Sequence, residues 1–187
     1  MTTAPAFVRT AIDKLRGLAS DERGVSAVEF AMLLPLMITL FLGGVEISQG
    51  VGIDRKVTLT TRTVGDLASQ ASTINNADMT NILNASTAVM SPFATGTLKI
   101  TVSLVNIDSA GAAKIGWSDT YNGTARAVGS SVTLPSALAV PSTSLIWSEV
   151  SYGYTPAVGK VITGTLNLSD EIYMRPRLSD TITRTAT

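Results

Sequence analysis

The chain has 187 residues, enough for one folded domain of ordinary size beside a membrane segment. Its 14 basic and 14 acidic side chains cancel to a formal charge of zero, which removes the broad attraction to phosphate that a nucleic-acid binder uses, so no DNA or RNA partner is expected. With 0 Cys and 0 His, zinc centres built on those residues, thiol nucleophiles, a Ser-His-Asp arrangement and a disulfide framework are all excluded.

In chain order, the first segment, residues 1–24, carries Arg9, Lys14, Arg16 and Arg23 against Asp13, Asp21 and Glu22. It has a weak helical pattern through Phe7, Val8, Ala11, Ile12 and Leu15, and reads as a basic, cytoplasmic flank. Next comes an apolar run from Val25 to Val45 whose one charge is Glu29. As a helix it would span about 31 Å, close to the roughly 30 Å hydrocarbon core of a bilayer. Positive charge ahead of it predicts a single pass, with the N-terminus in the cytoplasm and the long C-terminal part outside. Inside the run, Pro35 lacks a backbone donor and crowds the preceding turn, which predicts a helix bend. The Gly43-Gly44 pair reads as a local softening.

A carboxylate in such a run is costly and therefore functional by default. A secretory signal would be cut after the apolar region, yet Glu46-Ile47-Ser48-Gln49-Gly50 offers no Ala-x-Ala site. A cut after Gly24 would instead keep the helix on the mature chain and create a charged amine at Val25, four residues before Glu29. Both charges are tolerable at the membrane edge and costly inside an apolar assembly, unless the carboxylate meets the amine of a neighbouring copy.

Gly24, Glu29 and Phe30, followed by the apolar run with Leu34-Pro35-Leu36, resemble the prepilin processing and assembly region of the type IV pilin superfamily, specifically the TadE-like pseudopilins of tight-adherence (Tad, or Flp) pili. Gly44, Glu46 and Gly50, then the segments 145–156 and 173–177, are similar to further parts of that family. The resemblance implies cleavage between Gly24 and Val25 by a membrane prepilin peptidase, residence in the inner membrane among lipid, and assembly as a minor subunit through Glu29 and Phe30. Its implied partners are other Tad pilus subunits and the inner-membrane assembly platform. It implies no cofactor, no metal and no catalytic residue.

Beyond the span, Ile53, Val57, Val64, Leu67, Ala68 and Ala71 recur at helical spacing, so the helix is expected to continue as an amphipathic half until a polar break at 72–76. A second helix is expected over 79–90, capped by Asp78 and stopped by Ser91-Pro92. From Thr97 the period becomes two, with Leu98, Ile100, Val102, Leu104 and Asn106 on one face of a strand. Asp108 to Gly111 supplies a turn into a partner strand, 113–120, on which Ile115 and Trp117 share a face. A Gly, Ser, Ala and Pro-rich loop follows, with a short strand near 131–134. Then come strands 144–154 and 161–175, the second bent near 167–170. The expected organisation is a leader (1–24), a transmembrane helix (25–47) and an α+β extracytoplasmic domain (48–187) of about four antiparallel strands packed on the long helix.

An enzyme is not expected. Asp170 and Glu171 are adjacent and point to opposite faces of a strand, and Asp108, Asp119 and Asp170 read as turn residues. Trp117, Trp147, Tyr152 and Tyr154 read as sheet packing or a subunit contact. Arg175-Pro176-Arg177 reads as a strand end or a contact for an acidic partner. The rival reading is a signal-anchored periplasmic binding module whose helix is only a tether.

Overall fold

One α-helix, α1, runs from Glu22 to Ser69, 48 residues through Pro35 without interruption. The computed structural model describes residue 17 and residues 22–157 and 164–186; the expected helical pattern at 7–15 lies outside them. The chain divides into two units, Met1–Val45 and Glu46–Thr187.

In the first unit no residue from Gly24 to Val45 is buried. Pro35 cannot donate to the carbonyl one turn earlier, and its own carbonyl accepts an added bond from the Thr39 hydroxyl at 2.8 Å.

In the second unit, α1 lays Ile53, Val57, Val64 and Ala68 into a core, as the spacing predicts. Leu67 and Ala71 are only half-buried, and Thr60 and Thr61 fill the stripe instead. A buried hydroxyl is tolerated because each donates within the helix, Thr60 to the Lys56 carbonyl at 2.8 Å and Thr61 to the Val57 carbonyl at 2.9 Å. Ser148 reaches from the sheet to the Thr61 carbonyl at 2.8 Å. At Gly65 a side chain would meet Met174 Sδ at 3.3 Å and Ser148 Cβ at 3.4 Å, so helix and sheet approach closely there.

After α1 come β1 (Thr73–Ile74) and α2 (Asn76–Ala88). The expected cap, Asp78, is corrected: Asn75 is the N-cap, because its side chain accepts the Asp78 N–H at 2.8 Å. Asp78 sits three residues on and returns its carboxylate to the Asn75 N–H at 3.2 Å, a reciprocal capping box.

The sheet comprises β2 (Leu98–Ile107), β3 (Ala113–Tyr121), β4 (Ser131–Val132), β5 (Thr143–Tyr154) and β6 (Leu166–Met174). Its five strands are antiparallel, in the order β4-β3-β2-β5-β6, giving the expected α+β class. β6 starts at Leu166, with 161–163 outside the described residues. It is not bent at 167–170, since its register with β5 continues unbroken from Leu166 opposite Tyr154 to Met174 opposite Ile146.

Between Leu104 and Val105 the pairing with β3 shifts by one residue, leaving Gly116 extra between Trp117 and Ile115. An extra residue reverses which face follows it. Ile115 and Trp117 therefore lie on opposite faces, contrary to the expectation of a shared one, and Val105 and Ile107 are buried where Asn106 is exposed. Space is tight at Gly116, where a Cβ would stand 2.7 Å from Asn106 Nδ2 and 3.1 Å from a Leu104 methyl, so both side chains would have to shift. One face of the sheet packs Ile100, Val102, Trp117, Ile146 and Val150 with α1. The other packs Val105, Ile107, Ile115, Leu145 and Trp147 under Val132, Leu134 and Leu138 of the long loop.

The last residues close the domain. β7 (Thr183–Arg184) pairs in parallel with β1, and Ile182 is buried. Trp117 Nε1 donates to the Ile182 carbonyl at 2.8 Å, and Arg184 Nε donates to Asp119 at 2.9 Å.

Candidate assembly site on the first helix

Gly24, Val25, Glu29 and Phe30 lie in the first three turns of α1. Val25 and Glu29 are four apart, so they lie on one helix face a single turn from each other. Val25 and Phe30 are about three-fifths exposed, at 60% and 58%. Glu29 is exposed too, with no ion-pair partner among the described residues. The peptide bond between Gly24 and Val25 lies within α1. Pro35 stands further along the same apolar surface.

The resemblance of Glu46 and Gly50 to the family has a structural counterpart within the second unit. Gly50 leaves room for the Tyr154 ring, whose Cε1 would lie 3.6 Å from an added Cβ, and the Tyr154 hydroxyl points to the Glu46 carbonyl at 3.4 Å. Burial, then the Glu46 charge, raise the Tyr154 pKa.

Of the three aspartates read as turn residues, Asp108 alone is one, since Asp119 lies within β3 and Asp170 within β6. Asp108 accepts the N–H groups of Ala110 and Ala112, both at 2.9 Å, and so makes the turn. Asp119 pairs with Arg184, and Asp170 accepts the Glu171 N–H at 3.0 Å. Among the described residues no three potential metal ligands gather. Arg177, read as a strand end or partner contact, caps α1: its N–H donates to the Ser69 carbonyl at 2.9 Å and its guanidinium pairs with Asp66.

Away from the helix, one cluster was not foreseen from the sequence. The Arg126 guanidinium lies 3.7 Å from the centre of the Trp147 ring and forms a two-pronged pair with Glu149. Tyr173 stacks on Trp147 with ring centres 5.4 Å apart, and Trp147 Nε1 donates to Glu171 at 3.1 Å. Burial first, then the Glu171 and Glu149 charges, push the Tyr173 pKa up to about 12, against the opposing pull of Arg126. Arg126 is the lone charge in the loop 122–141, and that isolation was the available signal. Beside this cluster is an open depression of about 560 Å³ bordered by Lys99, Thr101, Glu149, Ser151, Asp170 and Glu171.

Taken together, these features define a protein with one N-terminal helix long and apolar enough to cross a membrane, and a separately packed α+β unit after it. Residues 24–66 match the family model described as TadE-like protein. Over those residues, which are the greater part of α1 and none of the sheet, the chain is similar to TadE-like proteins. The matched span does not reach 145–156 or 173–177, and no curated protein and no solved structure matches the chain.

Proposed function

We propose that this protein is a minor pilin or pseudopilin that takes part in building a Tad pilus, anchored in the inner membrane until it is assembled. The observation that supports this most is the placement of an exposed carboxylate, Glu29, without an ion-pair partner among the described residues, one helical turn after Val25 in a run where nothing is buried. A prepilin peptidase cuts after Gly24, freeing the Val25 amine. The helix then leaves the lipid and packs among other pilus subunits at the assembly platform, where Glu29 neutralises the terminal amine of a neighbour. An ion pair that forms only in the assembled state rewards assembly, since either charge alone would be buried at a cost of several kcal/mol. The domain supplies no step of this chemistry and acts as the displayed surface.

Glu29→Ala is expected to leave membrane insertion and processing intact and to reduce pilus number, counted by electron microscopy. Normal pilus numbers would sink the pairing role. Gly24→Leu is expected to leave a precursor that migrates more slowly on a gel, and N-terminal sequencing of the parent should begin at Val25. The rival, a membrane-tethered periplasmic binding module, draws its support from the open polar depression on the sheet. An intact N-terminus on the mature protein would favour it.

A further inference from the structure

The two edges of the sheet are finished differently. On the β3 side the chain covers its own edge: Ile115 N–H donates to the Ser130 carbonyl at 3.0 Å, Gly129 N–H to the Ile115 carbonyl at 2.7 Å, and Arg126 N–H to Ser118 Oγ at 3.0 Å, with β4 pairing beyond. On the opposite side β6 pairs only with β5 among the described residues. It presents nine residues in unbroken register, with no proline and no bulge. Edges of that length are usually blunted, because they offer a row of free donors and acceptors to any extended chain.

β6 has one such blunting device. Glu171 donates its N–H to the Asp170 carboxylate at 3.0 Å, so that N–H faces away from β5. By ladder alternation the N–H and C=O groups of Asn167, Ser169 and Tyr173 face outward as well. Asp170 thus occupies one outward donor, and the others have no further strand beside them among the described residues. The strand carries two carboxylates, Asp170 and Glu171, and no basic residue. A second copy pairing antiparallel along the whole strand would be centred on Asp170 and would set carboxylate against carboxylate, a destabilising arrangement. An incoming strand bearing Lys or Arg meets the opposite situation. Its cation draws the Asp170 carboxylate to itself and the Glu171 N–H is released to the new ladder.

We propose that the β6 edge is a docking site for a basic, extended peptide segment of another protein, which adds as a further strand, with Asp170 as the guard that basic charge displaces. This surface is independent of the assembly role given to Glu29. The test uses the full-length chain in detergent micelles and a fluorescein-labelled peptide, Thr-Val-Thr-Lys-Val-Lys-Thr-Val-Thr, compared by fluorescence anisotropy with the same peptide carrying Gln in place of Lys. The Lys peptide is expected to bind about tenfold tighter than the Gln peptide. In a D170N/E171Q variant, whose melting curve reports that it is folded, the difference should shrink to below about twofold. N-methylation of the peptide amides on one alternate set should abolish binding, while methylation of the other set leaves it intact. Equal binding of Lys and Gln peptides, no binding of either, or indifference to both methylation sets would overturn the proposal. So would self-pairing of the parent chain through β6, read as S169C cross-linking between copies.

Discussion

Along one uninterrupted helix, the residues from Gly24 to Val45 bury nothing, while those from Glu46 to Ser69 bury Ile53, Val57, Thr60, Thr61, Val64 and Ala68 against the chain's own sheet. The geometry of the two halves is the same, and what differs is where their burial comes from. In the second half apolar residues fall on one stripe and the chain itself covers them, each full burial contributing about 1.5–3 kcal/mol. In the first half apolar residues face every direction, as on a helix whose solvent is lipid or other helices. A charge in the second half, such as Asp66, is matched within the domain by Arg177. Glu29 is exposed and has no such match among the described residues.

The comparison is broken most severely by Trp117→Ala, which removes a buried ring and its bond to the Ile182 carbonyl. It should cost the domain about 3–5 kcal/mol in denaturant unfolding of the protein in detergent. Leu33→Ala in the first half should shift the same transition by less than about 0.5 kcal/mol. A comparable loss at Leu33 would mean that the two halves do not draw their burial from different sources. Next in size is Gly65→Val, which places branched carbons where Met174 Sδ already stands 3.3 Å from an added Cβ. A loss of about 1–3 kcal/mol is expected, read as a lower Tm, whereas unchanged stability would show that helix and sheet do not touch there. The smallest effect is one of pH. Tyr173 has its pKa raised in the fold from 10.0 to about 12, so its neutral form is favoured by folding. That contribution is complete below pH 10 and is lost as pH rises toward 12. Tyr173→Phe should flatten the fall in unfolding free energy across that window, and an identical pH profile in parent and variant would refute the assignment.

Much of this arrangement was legible beforehand, for physical reasons that also explain the rest. The span, the amphipathic stripe and the four long strands announce themselves by period, and the strand ends were located to within a residue or two, except where β6 begins. The Ile115 and Trp117 faces were misread because period two assumes an unbroken ladder, and Gly116 inserts one residue into it. Asp78 was misread as a cap because a capping box contains two polar residues three apart, and the spacing alone does not say which comes first in the helix. Thr60 and Thr61 were overlooked because a threonine in a helix hides its polarity by bonding the carbonyl one turn back. Of the assembly site, the spacing of Gly24, Val25, Glu29 and Phe30 is local and can be read directly. Pairs such as Arg126 with Glu149, 23 residues apart, and Arg184 with Asp119, 65 apart, depend on the folded topology and leave no local trace.

The pairing of β1 with β7 joins the segment just after α1 to residues 110 positions later, Thr73 to Thr183, and the bond from Trp117 to Ile182 ties β3 to the same late segment. Contacts of that range carry a large loop-closure entropy and form late. On the ribosome the long helix is finished before any strand exists, and the domain stays open until its last strand is made. Synthesis therefore imposes a timetable: a helix that can enter the bilayer early, and a domain that locks only after Thr183 and Arg184 have emerged to pair with β1.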